Sequence, residues 1–489
     1  MPVRGTVAGD SIPGGAVWEN RFVRYVILVL PILLSAQTIP RTWNSVSVSS
    51  LELPLAQPDF SPVHISEADY YRIPERLLYR TYPVYHPKRE PDGYFDWLKQ
   101  QEPVIAFNPS DYHTPNQWIA AGQIVFNAPT SFDPVFFSLA DLRDPAFYSE
   151  TGMPVATDGI VPFARWVVRK KGVVELGSMG CATCHTRVLS GGRVVAGAPS
   201  NNPGDRQGAR LLRQAAAISP DKLLARLRIF VQQFEAPWLP ADPNAAARTF
   251  SLTQFIEAGE AIPPGVTARA NTSIVLAPQI PDLIGVKDRR FLDHTGLIRH
   301  REIGDLMRYS TLSQDVGVYA RYGPTGAPPP PHGSRYSDSQ LYALALYLYS
   351  LQPPSNPYSG DDPETARGRQ IFEHEGCPAC HAPPLYTNNQ LISWDKIGTD
   401  PRYTLQTRKG TGYYKVPSLK GLWYRSPLEH NGSVASLEDW FDPARVRSDY
   451  RPSGFSGYGV SRRAVPGHEF GLNLDPSDKK ALIAFLLTL

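Results

Sequence analysis

The sequence predicts a mainly α-helical protein of two like domains, with long Pro- and Gly-rich loops and an N-terminal extension. Three observations predict it. One pentapeptide pattern, C-x-x-C-H, occurs twice, as Cys181-Ala182-Thr183-Cys184-His185 and Cys377-Pro378-Ala379-Cys380-His381. Each copy is followed, at a distance, by an amphipathic helix. In a chain of 489 residues, 48 prolines and 38 glycines call for long ordered connections around a modest amount of regular structure. That length also exceeds one ordinary domain.

Residues 1–40 contain an apolar run, Tyr25 to Ala36, preceded by Arg21 and Arg24. The run is short for a bilayer and holds Pro31, so it reads as a signal-peptide core with Ser35 and Ala36 at a cleavage site. Asp10 and Glu19 are untidy for such a leader, and an uncleaved anchor is the alternative, the one tie to a membrane. A periplasmic or otherwise extracytoplasmic location follows. Residues 41–160 read as an ordered extension packed over the rest. Its Tyr- and Pro-rich part, to about 115, shows no sustained helical or strand period.

Residues 161–352 form the expected first domain. It closes on "SDSQLYALALYLYSL", where Ser337 or Asp338 caps a helix and Leu341, Leu344, Ala345 and Leu348 make one buried face. Residues 353–489 form the second, entered through "QPPSNPYSGDDP" and closed by "DPSDKKALIAFLLTL". There Asp475 caps, Pro476 takes the first helical position, and Leu482, Phe485, Leu486 and Leu489 form the stripe.

Charge excludes one class of partner. Lys plus Arg number 49 against 46 Asp plus Glu, a net +3, without the basic excess of a nucleic-acid binder. The four cysteines all lie in the two pentapeptides, which leaves none for a structural disulfide. Structural zinc takes four ligands, yet the two pentapeptide histidines stand 196 residues apart and each belongs to its own domain. A thioredoxin-like site expects a βαβ context that is missing. C-x-x-C-H is the attachment signature of c-type haem: two thiols bond the vinyl groups, and the histidine reaches the iron. The expected cofactors are therefore two covalently bound haem c groups, at Cys181, Cys184 and His185 and at Cys377, Cys380 and His381.

The sixth position of each iron separates electron transfer from catalysis. The four methionines are Met1, Met153, Met179 and Met307, so none follows Cys377. The histidines after His381 are His430 and His468. His468, in the glycine-flanked loop "AVPGHEFGLNLDPSD", is placed to reach over the second haem; Tyr450 and Tyr458 are poorer candidates. Near the first haem, "DRRFLDHTGLIRHREIGDLMRY" supplies Arg289, Arg290, Asp293, His294, His300 and Glu302. Peroxide heterolysis needs a proton-moving group and a cation, which this set contains. A solvated, salt-bridged helix face is the alternative reading.

The second half resembles the bacterial di-haem cytochrome c peroxidase superfamily, which also holds the MauG-type enzymes and the di-haem rubber oxygenases. "ARGRQIFEHEGCPACHAPP" and "GTGYYKVPSLKGLWYRSPLEHNGSVASLEDWF" carry the resemblance, with looser similarity in "TSIVLAPQIPDLIGV" and "RRFLDHTG". It implies two cytochrome c-like haem domains, His185 and His381 as proximal ligands, and an N-terminal haem that meets peroxide or oxygen while the C-terminal one supplies or stores an electron. It also places His430 near the second haem, Glu302 near the peroxidases' distal glutamine, and a calcium ion on backbone oxygens near Pro427. The family's inter-haem tryptophan falls on Leu292, and its axial methionine is missing from 437–447. His468 then resembles the distal histidine of the rubber-oxygenase branch. The expected activity is peroxidase-like oxidoreduction with a catalytic set of Glu302, His294, Arg290 and His430, fed by a redox partner protein or a small reductant. An oxygen-dependent dioxygenase and a pure electron carrier are the alternatives.

Overall fold

Two helix pairs organise the chain, and a glycine brings each pair together. Helix α1 (Pro115–Asn127) begins at a capping box between Thr114 and Gln117, with proline in the first turn. It packs on α5 (Asp338–Ser350), which starts at a second capping box, Ser337 with Gln340. Gly122 sits at the crossing, where a Cβ would collide with the Ala343 carbonyl. In the C-terminal half α6 (Pro363–His374), capped by Asp362, packs on α7 (Pro476–Leu487). There Gly368 meets the Ala481 carbonyl in the same way. Asp475 is the N-cap residue of α7, but its side chain makes no capping hydrogen bond.

The computed structural model describes residues 38–489 apart from 233–235, 237–238, 240–243, 270–271, 315–319, 323–332, 359 and 361. The expected export segment and most of the 323–334 proline run lie outside the described residues. Residues Ile39–Leu489 form one contact unit. Helices supply most of the regular structure, and α2 (Gly204–Ala216), α3 (Leu252–Ala261) and α4 (Ile303–Gln314) lie between α1 and α5 in the chain. No helix among the described residues is long and apolar enough to cross a membrane.

The segment 41–160 holds more than a wrapping. Helix α1 lies in it, and so does strand β1 (Thr81–Tyr85), which pairs antiparallel with β2 (Ile160–Lys170); β3 (Val173–Gly177) completes a sheet of order β1-β2-β3. Tyr82 pairs with Trp166, and Trp166 with Leu176. Tyr82 and Val84 are buried while their neighbours are not, an alternation that Pro83 disguises in the sequence. Strand β2 buries consecutive residues, so it has no period of two to read. The expected buried faces are present at Leu341, Leu344, Ala345 and Leu348 in α5 and at Leu482, Phe485 and Leu486 in α7, while Leu489 lies past the end of α7 and is only partly buried. The tyrosines of the extension pack, as when Tyr70 stacks on the fully buried Trp43 at 4.7 Å.

Candidate functional site

Helix α6 stops at Gly376, whose φ of 74° is the left-handed turn that glycine tolerates. The tight turn Cys377–Ala379 follows, and the His381 amide donates to the Cys377 carbonyl at 2.8 Å. Both cysteines and His381 therefore face one cavity. Phe372, Leu419, Leu437, Trp440, Leu482 and Leu486 give it an apolar wall. The His381 Nδ1 donates to the Tyr386 carbonyl at 3.2 Å, which fixes the tautomer and leaves Nε2 as the metal-binding nitrogen.

Opposite His381 stands His468, their ring centroids 6.1 Å apart. Two metal–imidazole bonds of about 2.0 Å, each continued roughly one more ångström to its ring centre, span about 6 Å. The pair thus has the separation that one iron between two imidazoles requires. His468 is held there at a cost, since its φ of 49° is strained for a residue with a Cβ. Arg445, 1% exposed, fastens the loop. Its guanidinium donates to the carbonyls of Trp440 (2.8 Å), Val465 (2.6 Å), Gly467 (2.9 Å) and His468 (2.8 Å). Burial, with His381 adding to it, pushes the His468 imidazole down to about 4, and burial lowers His381 as well. Both rings are neutral at pH 7, the state a metal binds.

The first pentapeptide repeats the proximal device. Cys181–Cys184 is one helical turn, the His185 amide donates to the Cys181 carbonyl at 2.9 Å, and the His185 Nδ1 donates to the Pro281 carbonyl at 3.2 Å. Burial takes this imidazole down to about 4 too. Among the described residues no second imidazole packs opposite His185. His300 is engaged at both nitrogens, by the Arg289 carbonyl and the Tyr349 hydroxyl, each at 2.7 Å, and Met307 is in the hydrophobic core. The charged groups acting on Cys184 are Arg269, 3.9 Å from its sulfur, and Asp205, whose carboxyl burial pushes up to about 7.

The four expected catalytic residues divide. His294 and His430 reach the cavity of the second pentapeptide. His294 Nε2 donates to the Gln279 carbonyl at 2.7 Å. His430 pairs through Nδ1 with Glu429, and the Tyr414 hydroxyl stands 3.3 Å from its Nε2. Arg290 is exposed, and Glu302 is 61% exposed and paired with Arg308. Glu302 belongs to a salt-bridged cluster at the start of α4, where Arg301 and Arg308 also pair with Asp305. Near Pro427, the expected calcium position, the Ser426 carbonyl already accepts from the Arg187 guanidinium at 3.0 Å. Sequence reasoning missed Arg445, Arg269, Asp205 and Lys409, which pairs with the buried Asp293 at 2.5 Å. These lie outside the pentapeptides and carry no local pattern.

The donor sets fit haem, with two thiols and an imidazole presented together at each pentapeptide. Burial drives the Cys181 and Cys377 thiols up to about 11, so both are protonated at neutral pH. Among the described residues no cluster of three or more His, Cys, Asp or Glu side chains could hold a metal ion. An apolar cavity with a C-x-x-C-H on one wall and a facing histidine on the other defines the class as a haem protein.

No family model matches the chain. A cytochrome-c peroxidase, IdrP1, of Denitromonas iodatirespirans is 26% identical over 158 residues, a match spanning 25% of this chain and 39% of the relative. Solved structures with distant likeness include a Kuenenia stuttgartiensis hydrazine synthase, 17% identical with a TM-score of 0.30, covering 54% of this chain and 88% of that one. Others are a MauG-like protein associated with microbial copper homeostasis (19%, TM-score 0.23, 31% and 52% covered) and a variant of the diheme peroxidase BthA of Burkholderia thailandensis (17%, TM-score 0.26, 62% and 92% covered). The chain is thus similar over a short stretch to a cytochrome-c peroxidase, and it spans well under half the length of that relative.

Proposed function

We propose that the chain is an exported, extracytoplasmic di-haem c-type oxidoreductase of peroxidase type. Haem at Cys181, Cys184 and His185 is the open site for hydrogen peroxide. Haem at Cys377, Cys380 and His381, closed by His468, relays or stores electrons from a redox partner protein or a small reductant. The supporting observation is the contrast between the two histidines: His381 has an imidazole 6.1 Å across from it, and among the described residues His185 has none. Bound haem supplies the redox-active iron; the chain does the rest. Pro281 and Tyr386 orient the proximal rings. The apolar wall of the second cavity excludes water. At the first site Asp205, with its carboxyl raised to about 7, is a proton donor or acceptor at neutral pH, and Arg269 beside it is a fixed cation.

Electron paramagnetic resonance of the ferric protein, repeated after half-reduction and after hydrogen peroxide, tests the assignment. One high-spin and one low-spin signal, both lost on peroxide, are expected. Two low-spin signals, unmoved by half-reduction or peroxide, would make the protein an electron carrier. Loss of signal with oxygen and a reductant, but not with peroxide, would move it to the dioxygenase class.

A further inference from the structure

The second cavity is apolar at one end only. At the other end it is lined by Asp282, Arg289, Lys415 and Arg425, three cations around one carboxylate. Asp282 is already engaged: it accepts from the Tyr424 hydroxyl at 3.0 Å and from the Ile284 amide at 2.9 Å. Arg425 comes no nearer to it than 3.8 Å, and Arg425 Nε is a buried donor without a hydrogen-bond partner. The Lys415 ammonium makes no hydrogen bond or ion pair among the described residues. The next carboxylate, Asp293, is bonded to Lys409.

Cations shielded from water are ordinarily paired, and here three basic side chains face one carboxylate that is already engaged. Burial and the two guanidiniums push Lys415 down to about 7, the mark of a cation lacking an anion. Haem carries two propionate carboxylates on one edge, opposite its apolar edge. The polarity of the cavity runs the same way.

We infer that Lys415, Arg289 and Arg425 are positioning residues that receive the propionates of the haem attached at Cys377 and Cys380. The guanidiniums keep their backbone bonds, Arg289 to Ile284 at 2.7 Å and Arg425 to Lys420 at 3.0 Å, so their orientation is set before any ligand arrives. The inference rests on the di-haem reading, and the two fail separately.

The test is a spectroelectrochemical titration of the full-length holoprotein and its Lys415→Met variant. Two covalent haems and a retained low-spin signal are checked first, and absence of the second haem from the wild type sinks the di-haem reading itself. Losing a cation beside the propionates favours the ferric state. At a fixed applied potential the ferric/ferrous ratio of the low-spin haem should rise about three- to tenfold, tenfold being about 59 mV for one electron. Lys415→Arg should restore it, and exposed Lys420→Met should leave it unchanged. If Lys415→Met does not mature, Arg425→Met is expected to shift the ratio the same way. An unchanged ratio in a variant with both haems would overturn the inference. So would a wild-type ratio that moves with added phosphate at constant ionic strength, because the cations would then serve a free anion.

Discussion

Removing His468 isolates the axial assignment, because the structure says how much should change and where. The ring lies 6.1 Å from that of His381 and contributes one of the two nitrogens proposed for the second iron. His468→Ala should convert one haem of two from low-spin to high-spin or water-ligated, so low-spin intensity falls to the level the first haem supplies. Added imidazole should fill the vacated space and restore the signal. Backbone strain gives a second, quantitative handle. At φ 49° a residue with a Cβ costs roughly 1–2 kcal/mol, which glycine does not incur. His468→Gly should therefore be more stable than His468→Ala by about 1 kcal/mol in denaturant unfolding, with the same spectrum. His468→Met, if it ligates, should raise the potential of that haem. A low-spin spectrum identical to wild type in both the Ala and Gly variants would refute the assignment, however well the rings face each other.

Other residues make further predictions. Paired Cys181→Ser/Cys184→Ser and Cys377→Ser/Cys380→Ser variants should each keep one covalent haem by pyridine haemochrome assay and intact mass; two haems in either would undo the attachment reading. Arg445→Met leaves four carbonyls near the His468 loop without their donor, and should cost about 2–5 kcal/mol and give mixed-spin spectra at the second site. Lys409→Met strands the Asp293 carboxylate and should cost about 3–5 kcal/mol in urea unfolding. In the wild type, burial pushes the Asp293 carboxyl up, but Lys409 and His294 outweigh it and hold it at about 2. A depressed carboxyl stabilises the fold above its unfolded value near 3.8 and loses that contribution as pH falls through 2, so about 2 kcal/mol should vanish between pH 4 and 2. That acid-side slope should be missing from Asp293→Asn. Gly122→Ala and Gly368→Ala force two helix crossings apart and should each cost more than about 1–3 kcal/mol by thermal or denaturant unfolding, where a surface Gly→Ala change would be close to neutral.

How much was legible follows from how local each feature is. The pentapeptides, the closing helices and the Ser337 cap are written in contiguous residues, and a period of 3.6 shows them. His468 was legible for a different reason, elimination, since few residues after Cys380 can ligate iron. The sheet was not legible, because Pro83 interrupts one strand and β2 is buried on both faces. The pairing of α1 with α5 crosses more than two hundred residues and is announced only by Gly122, one glycine among many. Glu302 and Arg290 have the right chemistry for a distal site, but side-chain placement decides their use: Glu302 pairs with Arg308 and Arg290 is exposed to solvent.

The distal sides, rather than the haem sites as a whole, are where the two halves diverge. Both proximal histidines use one device, a backbone amide to the first cysteine and an Nδ1 bond to a carbonyl, so both rings are aimed, while burial keeps them neutral. Identical proximal ligation cannot by itself make one iron reactive and the other a relay. The difference has to come from what stands across the ring. In the C-terminal half that space is filled at real cost, by a strained residue that a nearly fully buried arginine holds in place. A fold that needed only a surface loop there would relax both. Strain kept in place around a facing imidazole fits the closed electron-transfer site proposed for this half, and on that proposal substrate chemistry is to be sought on the His185 side.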